Sequence, residues 1–243
     1  MSPWESSRTR APAGNVASMS GWLALVGGAE WTEGCSFDAA LLERSATSIV
    51  TVLPTAAAFE NPTGAVEWAT RWFAALGATV EACDIRTRAD ADNEDLAAQL
   101  CAAKFVYVAG GSPMHLRSTL KDTAALAALS NGWHRGNTLA ASSAGAMALC
   151  DPMLDPRGGA FSIGLGLLAA IAVLPHAQGW SPERTKRTLK LLSAGVQLAM
   201  IDERTALVRS PTGVWSAEGA GSVRIYANGT DTSDLHVLDA LLL

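Results

Sequence analysis

Thr138-Leu139-Ala140-Ala141-Ser142-Ser143-Ala144-Gly145-Ala146 runs from an apolar stretch into a string of small residues, with two adjacent serines at the change. The reading that decides the fold is a buried strand over 138–142 that turns sharply at Ser143 and passes into a helix opened by Ala144. Small side chains on both sides leave room for such an elbow. A serine at its tip projects from the carboxyl edge of a parallel sheet, where open α/β folds hold their sites. Its hydroxyl is a candidate nucleophile only with a base beside it and N–H donors for a developing oxyanion. Small residues at a strand-to-helix turn also serve close packing alone, and Ala141 stands where such elbows commonly carry glycine.

Outward from the elbow, short apolar runs recur at 22–26, 49–53, 79–85, 105–109 and 138–141, separated by segments of helical character. That alternation predicts an α/β chain: a three-layer α/β/α sandwich around a mostly parallel sheet. In 64–76, Ala65, Ala69, Trp72, Phe73 and Leu76 share one helical face, and Gly77 supplies a stop. Ser112-Pro113 and Ser181-Pro182 each set a capping hydroxyl before a proline at the first helical position. Runs at 196–201, 205–208, 214–217 and 223–227, with an Asn228-Gly229 turn, predict shorter, partly antiparallel strands. Residues 1–20 mix charge with Pro and Gly without a period and are expected to form a flexible N-terminal leader, with a single domain over 21–243.

Composition narrows the function. Apolar residues make up 49% of the 243 and charged residues 17%, which fits ordered globular structure. With 18 basic and 23 acidic side chains the net charge is −5, and no basic stripe offers a footprint for nucleic acid. The four cysteines, Cys35, Cys83, Cys101 and Cys150, form no CxxC pair and have no histidine at metal-ligand spacing, so they are expected as small residues of a reduced chain. No apolar run reaches the ~18 residues of a membrane span, and the opening residues hold no hydrophobic signal core. The expectation is a cytoplasmic protein without a metal or cofactor.

The elbow has candidate companions. In Val108-Ala109-Gly110-Gly111-Ser112-Pro113 a strand enters a Gly-Gly turn, and a neighbouring parallel strand would bring the Gly111 N–H near that of Ala144 as a two-donor oxyanion hole. The same glycines also suit an ordinary turn before a capped helix. Of the four histidines, His176 follows the apolar run Ile171-Ala172-Val173-Leu174-Pro175 at a sheet edge and is the candidate base. His115 falls inside a helix, His134 in a polar loop and His236 near the C-terminus, all three structural or solvated positions.

Six ordered elements carry a resemblance: Val26-Gly27-Gly28-Ala29-Glu30; Val52-Leu53-Pro54-Thr55-Ala56; Gly110-Gly111-Ser112; Ser143-Ala144-Gly145-Ala146; Leu174-Pro175-His176; and Ala199-Met200-Ile201-Asp202-Glu203-Arg204-Thr205-Ala206-Leu207. From about Leu23 to Val208 the chain resembles the S51 serine peptidases, the family of dipeptidase E and cyanophycinase, whose fold is similar to the class I glutamine amidotransferases. The resemblance implies Ser143 as nucleophile, His176 as general base, and Gly111 and Ala144 as oxyanion donors. It also implies an acid between the serine and the histidine. Asp151 and Asp155 both lie there; Asp151 is taken as the orienting acid, with Asp155 and Glu203 as rivals.

Two positions depart from that pattern: Ser112 stands where Asp or Asn is common, and Ala177 where an aromatic is usual after the histidine. The resemblance further implies a small peptide substrate with an aspartyl or β-aspartyl residue on its acyl side, Arg184 as the cation for that carboxylate, and room for a homodimer. Arg184 also suits a solvated helix face. A true glutamine amidotransferase needs a cysteine at the position of Ser143, and Cys150 lies too far along the next helix. A serine esterase and a non-catalytic ligand-binding module are the competing classes.

Overall fold

The computed structural model describes residues 20–157 and 159–239. Five strands run parallel to one another: β1 (Leu23–Val26), β2 (Ile49–Leu53), β3 (Thr79–Ala82), β4 (Phe105–Val108) and β5 (Thr138–Ser142). Further along the chain come β6 (Ile171–Leu174), β7 (Gln197–Ile201), β8 (Thr205–Arg209), β9 (Trp215–Gly219), β10 (Val223–Ala227) and β11 (Thr230–Thr232). The main sheet has seven strands in the order β9-β8-β1-β5-β4-β2-β3, in which β8 and β9 are antiparallel additions beyond β1.

Period-two alternation sorts the side chains onto two faces. Leu23, Leu25, Leu53, Val106, Val108, Leu139 and Ala141 join one core, and Ala24, Val26, Val50, Val52, Phe105, Tyr107 and Ala140 join the other. Helices α1 (Phe37–Ser45) and α2 (Pro62–Ala75) cover the second face with Phe37, Leu41, Ala69 and Phe73. The first face is covered by α4 (Glu94–Ala102), which follows the single turn α3 (Arg88–Ala91), and by α5 (Pro113–Leu120), α6 (Ala124–His134) and α7 (Ala144–Leu149). Both faces of the central strands are therefore dry, as a parallel sheet requires, and the architecture is the expected three-layer sandwich.

Capping explains where helices start. Ser112 Oγ accepts the His115 N–H at 3.2 Å, and Ser181 Oγ accepts the Arg184 N–H at 3.2 Å to open α8 (Pro182–Leu191). Helix α2 begins two residues before the predicted 64, because Asn61-Pro62 repeats the cap-plus-proline signal: Asn61 Oδ1 accepts the Gly64 N–H at 2.9 Å. His134 ends α6 rather than lying in a loop. Strand β3 stops at Ala82 instead of 85, on the exposed edge of the sheet.

The late strands divide in a way the sequence did not foretell. β8 and β9 extend the main sheet, while β6, β7, β10 and β11 form a second, four-stranded sheet in that order. Its Ile171, Val173, Leu198, Met200 and Ile225 pack into the same core as α7. The predicted leader lies outside the described residues except for Ser20, which is buried and accepts a hydrogen bond from Arg209 at 2.9 Å, so the ordered fold includes it. No helix among the described residues is long and apolar enough to cross a membrane.

Candidate active site

Three carboxyl-edge turns meet because β1, β5 and β4 are adjacent and parallel. β5 ends in register with β1, pairing Ser142 with Val26, and the Ser143 N–H continues the ladder to the Val26 carbonyl at 2.9 Å. At Ser143 itself the backbone swings to φ 47°, ψ −106° before α7 begins, a conformation that costs on the order of 1–3 kcal/mol for a residue with a Cβ. The surrounding ladder and the buried small residues Ala144, Gly145 and Ala146 hold it there. The result is the elbow that the sequence suggested.

His176 reaches the serine from the second sheet. β6 ends at Leu174, and His176 adopts a left-handed backbone (φ 51°) with its N–H bonded to the Gly27 carbonyl at 2.8 Å. Its Nε2 lies 3.0 Å from Ser143 Oγ, and its Nδ1 lies 2.8 Å from Glu203 Oε1. A carboxylate at Nδ1 assigns the ring proton to that nitrogen and leaves Nε2 as the acceptor facing the hydroxyl. The side chains of His176 and Glu203 are 42% and 38% exposed, so the relay opens to solvent on one side.

Glycine makes the histidine's position available. At Gly28, where φ is 112°, a Cβ would come within 2.1 Å of His176 Cε1, so any side chain there would displace the ring. Glu203 is held from two sides: the N–H of its neighbour Arg204 bonds to the Gly28 carbonyl at 2.8 Å, and its own N–H bonds to Gln178 Oε1, just past His176, at 3.0 Å.

The structure does not pair Asp151, the acid expected beside the histidine, with the His176 ring. Asp151 Oδ1 accepts the Gly164 N–H at 3.1 Å, within the short pairing of Cys150–Asp151 with Leu168–Ala169, and the Nδ1 of His176 is occupied by Glu203 instead. Asp155 is also engaged elsewhere: Arg157 takes both its oxygens, and the hydrogen bonds from that guanidinium hold the Asp155 carboxyl below the usual carboxylate range. Asp202, beside Glu203, caps the Ser222 N–H and hydroxyl. The remaining histidines bond elsewhere: the His115 ring lies 3.0 Å from the Arg86 carbonyl, the His134 ring 2.8 Å from the Ser130 carbonyl, and the exposed His236 pairs with Asp239.

The candidate oxyanion donors flank the hydroxyl. Gly111 has φ 138° and packs so closely on Ala56 that a Cβ would lie 2.3 Å from the Ala56 carbonyl oxygen. Among the described residues the N–H groups of Gly111 and Ala144 have no protein acceptor, and both residues line a cavity of about 270 Å³ with Ser143 and His176. Met147, Pro156, Trp180 and Arg184 also stand in its wall. The Arg184 guanidinium stacks 3.8 Å over the Trp180 ring and donates to the Pro156 carbonyl, so its head group is held at the cavity rather than spread on a solvated helix face.

A larger cavity of about 720 Å³ also borders Ser143 and His176, bounded by Trp31, Trp68, Arg71, Glu60 and Glu67 together with the Gly110-Gly111 turn. Glu30 also borders it. This residue had no assigned role in the sequence, although it closes the first of the six ordered elements; its carboxylate bonds to Gly110 and Ser142. No group of three or more His, Cys, Asp or Glu side chains among the described residues is arranged to hold a metal ion.

Comparison with known proteins shows the family of the chain. The profile described as Peptidase family S51 matches residues 23–214. A cyanophycinase from Trichormus variabilis is 30% identical over 182 residues, which is 69% of this chain and 60% of the relative; a Nostoc cyanophycinase matches equally. This chain thus spans about three fifths of the length of those relatives. Among solved structures, a peptidase from an acI-B1 Actinobacterium superposes with a TM-score of 0.75 at 27% identity, covering 88% of this chain and 97% of that one. A putative peptidase E protein from Listeria monocytogenes has a TM-score of 0.64 at 20% identity, over 83% of this chain and all of the other, and shares the fold.

Proposed function

Because the chain belongs to peptidase family S51, we propose that it is a serine peptidase that hydrolyses short peptides carrying an aspartyl or β-aspartyl residue on the acyl side. The observation that carries this reading is the continuous relay from Ser143 Oγ to His176 Nε2 at 3.0 Å and from His176 Nδ1 to Glu203 Oε1 at 2.8 Å. Ser143 Oγ attacks the scissile carbonyl carbon as its proton passes to His176 Nε2. Glu203 keeps the Nδ1 proton in place and offsets the charge on the imidazolium. The carbonyl oxygen, now negative, takes the Gly111 and Ala144 N–H groups, donors of a kind that contributes several kcal/mol to acyl transfer. His176 then protonates the departing amine, and a water activated by the same imidazole releases the acid and restores the serine.

The two cavities divide the substrate. Arg184, fixed over Trp180 in the smaller one, offers a guanidinium to a side-chain carboxylate on the acyl part, leaving the larger cavity for the amine part. The reaction uses a hydroxyl and no thiol: Cys150 is fully buried at the end of α7, and burial raises its thiol pKa well above the usual range.

The test is a panel of dipeptides with an α-aspartyl, β-aspartyl or uncharged first residue, assayed with the full chain and its Ser143→Ala variant. The expected result is turnover of the aspartyl members and a ~10⁴–10⁶-fold loss in the variant. An uncharged-substrate preference would remove the specificity reading, and activity that persists in the variant would remove Ser143 as nucleophile.

A further inference from the structure

We propose that Glu30 is a positioning residue of the reaction, clamping the Gly110-Gly111 turn to the end of β5 so that the Gly111 N–H stays aimed at the nucleophile. The inference rests on the reading of Gly111 and Ala144 as oxyanion donors of a serine peptidase. Glu30 stands on the turn after β1, yet its two oxygens engage the ends of the next two strands in the sheet: Oε1 accepts the N–H of Gly110, on the turn after β4, at 3.0 Å, and Oε2 accepts the hydroxyl of Ser142, the last residue of β5, at 2.7 Å. Since the sheet runs β1-β5-β4, the carboxylate reaches across the end of β5 and ties all three strands at the edge where the chemistry occurs.

The clamp acts where the turn has least support of its own. Gly110 and Gly111 lack side chains, and Gly111 sits in a region of backbone conformation open to few other residues. From behind, Ala56 anchors the turn through the Ser112 N–H at 2.8 Å. From the front the contact is Glu30, so close that a Cβ on Gly110 would lie 2.9 Å from Oε1. Fixing the Gly110 N–H on one side and the Ser112 N–H on the other sets the peptide plane between them, which carries the Gly111 N–H. The second bond explains Ser142: its hydroxyl, buried and next in sequence to the nucleophile, is held by Glu30 rather than by His176.

A carboxylate suits the task because one group must accept from two donors, and bonds to an ionised acceptor are the stronger kind. Glutamine retains both contacts: its oxygen accepts the Gly110 N–H, and its amide donates to the Ser142 oxygen. Alanine keeps neither. The charge and the clamp can therefore be separated by substitution.

Steady-state kinetics of the full chain and its Glu30→Ala, Glu30→Gln and Ser142→Ala variants, on one peptide that the unaltered chain hydrolyses, test the proposal. Loss of one oxyanion donor costs on the order of 10²–10³ in kcat, so Glu30→Ala is expected to lower kcat by about 10²-fold with KM within about threefold. Glu30→Gln is expected to stay within about tenfold of the unaltered chain, and Ser142→Ala, which removes one of the two bonds, to fall between them. Should Glu30→Ala not fold, recovery in Glu30→Gln together with a kcat-only loss in Ser142→Ala supports the clamp. Wild-type kcat in Glu30→Ala, a glutamine variant as poor as the alanine one, or a loss confined to KM overturns it. An unaltered chain that cleaves no peptide defeats the serine peptidase reading, whereas an active chain indifferent to Glu30 defeats this inference alone.

Discussion

The serine side of the site is built within one sheet, and the histidine side is built between two. Ser143 is fixed by its own ladder: β5 lies between β1 and β4, the Ser143 N–H bonds to Val26, and α7 starts at the next residue. His176 stands at the end of the second sheet, and contacts from elsewhere in the chain place its ring: the Gly27 carbonyl on its N–H, the side-chain-free face of Gly28, and Glu203 on Nδ1. Parallel neighbours in a continuous sheet specify position through register, whereas two sheets that meet at an edge need particular side chains, or a missing one, at the join. Sensitivity to substitution should therefore concentrate on the histidine side at residues remote from Ser143 in sequence.

The sharpest way to break that contrast is to exchange the acids. Glu203→Gln keeps the size of the side chain but lets the ring adopt the wrong tautomer, and kcat is expected to fall ~10³–10⁴-fold. Asp151→Asn, which retains an acceptor for the Gly164 N–H, should leave kcat within about threefold. Equal losses, measured on one peptide, would return Asp151 to the relay. Gly28→Ala comes next. Its methyl would occupy the space of His176 Cε1, and a displacement of about 1 Å at the base costs ~10²-fold in turnover. An alanine variant with full activity would show that the ring does not depend on that gap.

A smaller and selective effect belongs to the acyl side. Arg184→Met preserves stacking bulk over Trp180 while removing the charge, so kcat/KM for aspartyl peptides should drop by about tenfold or more with uncharged peptides unaffected. A uniform loss on both classes would mean the arginine only supports the wall.

The smallest effect concerns stability, in the layer behind the serine side. Asp38 is buried, takes a bond from Trp72 Nε1 at 2.8 Å, and has its pKa pushed from 3.8 up to about 8, chiefly by burial and further by the nearby Glu30. Between those two values the unfolded chain has lost the proton that the folded chain keeps, so Asp38 makes stability fall as pH rises, levelling off above about 8. Thermal unfolding of Asp38→Asn across that range should show a flatter decline than the unaltered chain; parallel curves would contradict it.

What the sequence made legible follows the same division. The elbow, the Gly111 turn and the capped helices were readable because strand, turn and cap signals are local, and the two Ser-Pro pairs opened helices where expected. The Asn61-Pro62 start belongs to the same kind of signal. His176 could be chosen for its place after an apolar strand, but not its partner. Asp151 follows Ser143 closely in sequence, whereas Glu203 reaches the ring because β7 pairs with β6 and β8 returns along β1, two long-range pairings that no local pattern records. Glu30 lies two residues after Gly28, but its partners, Gly110 after β4 and Ser142 at the end of β5, are far along the chain, so only the assembled edge gives it work.

The central claim is that Ser143 is an activated nucleophile, and the most direct measurement is labelling of the full chain with a fluorophosphonate followed by intact mass and peptide mapping. One adduct per chain, located on Ser143 and absent from His176→Ala, is the predicted result; no adduct, or one mapped to another residue, would contradict the account.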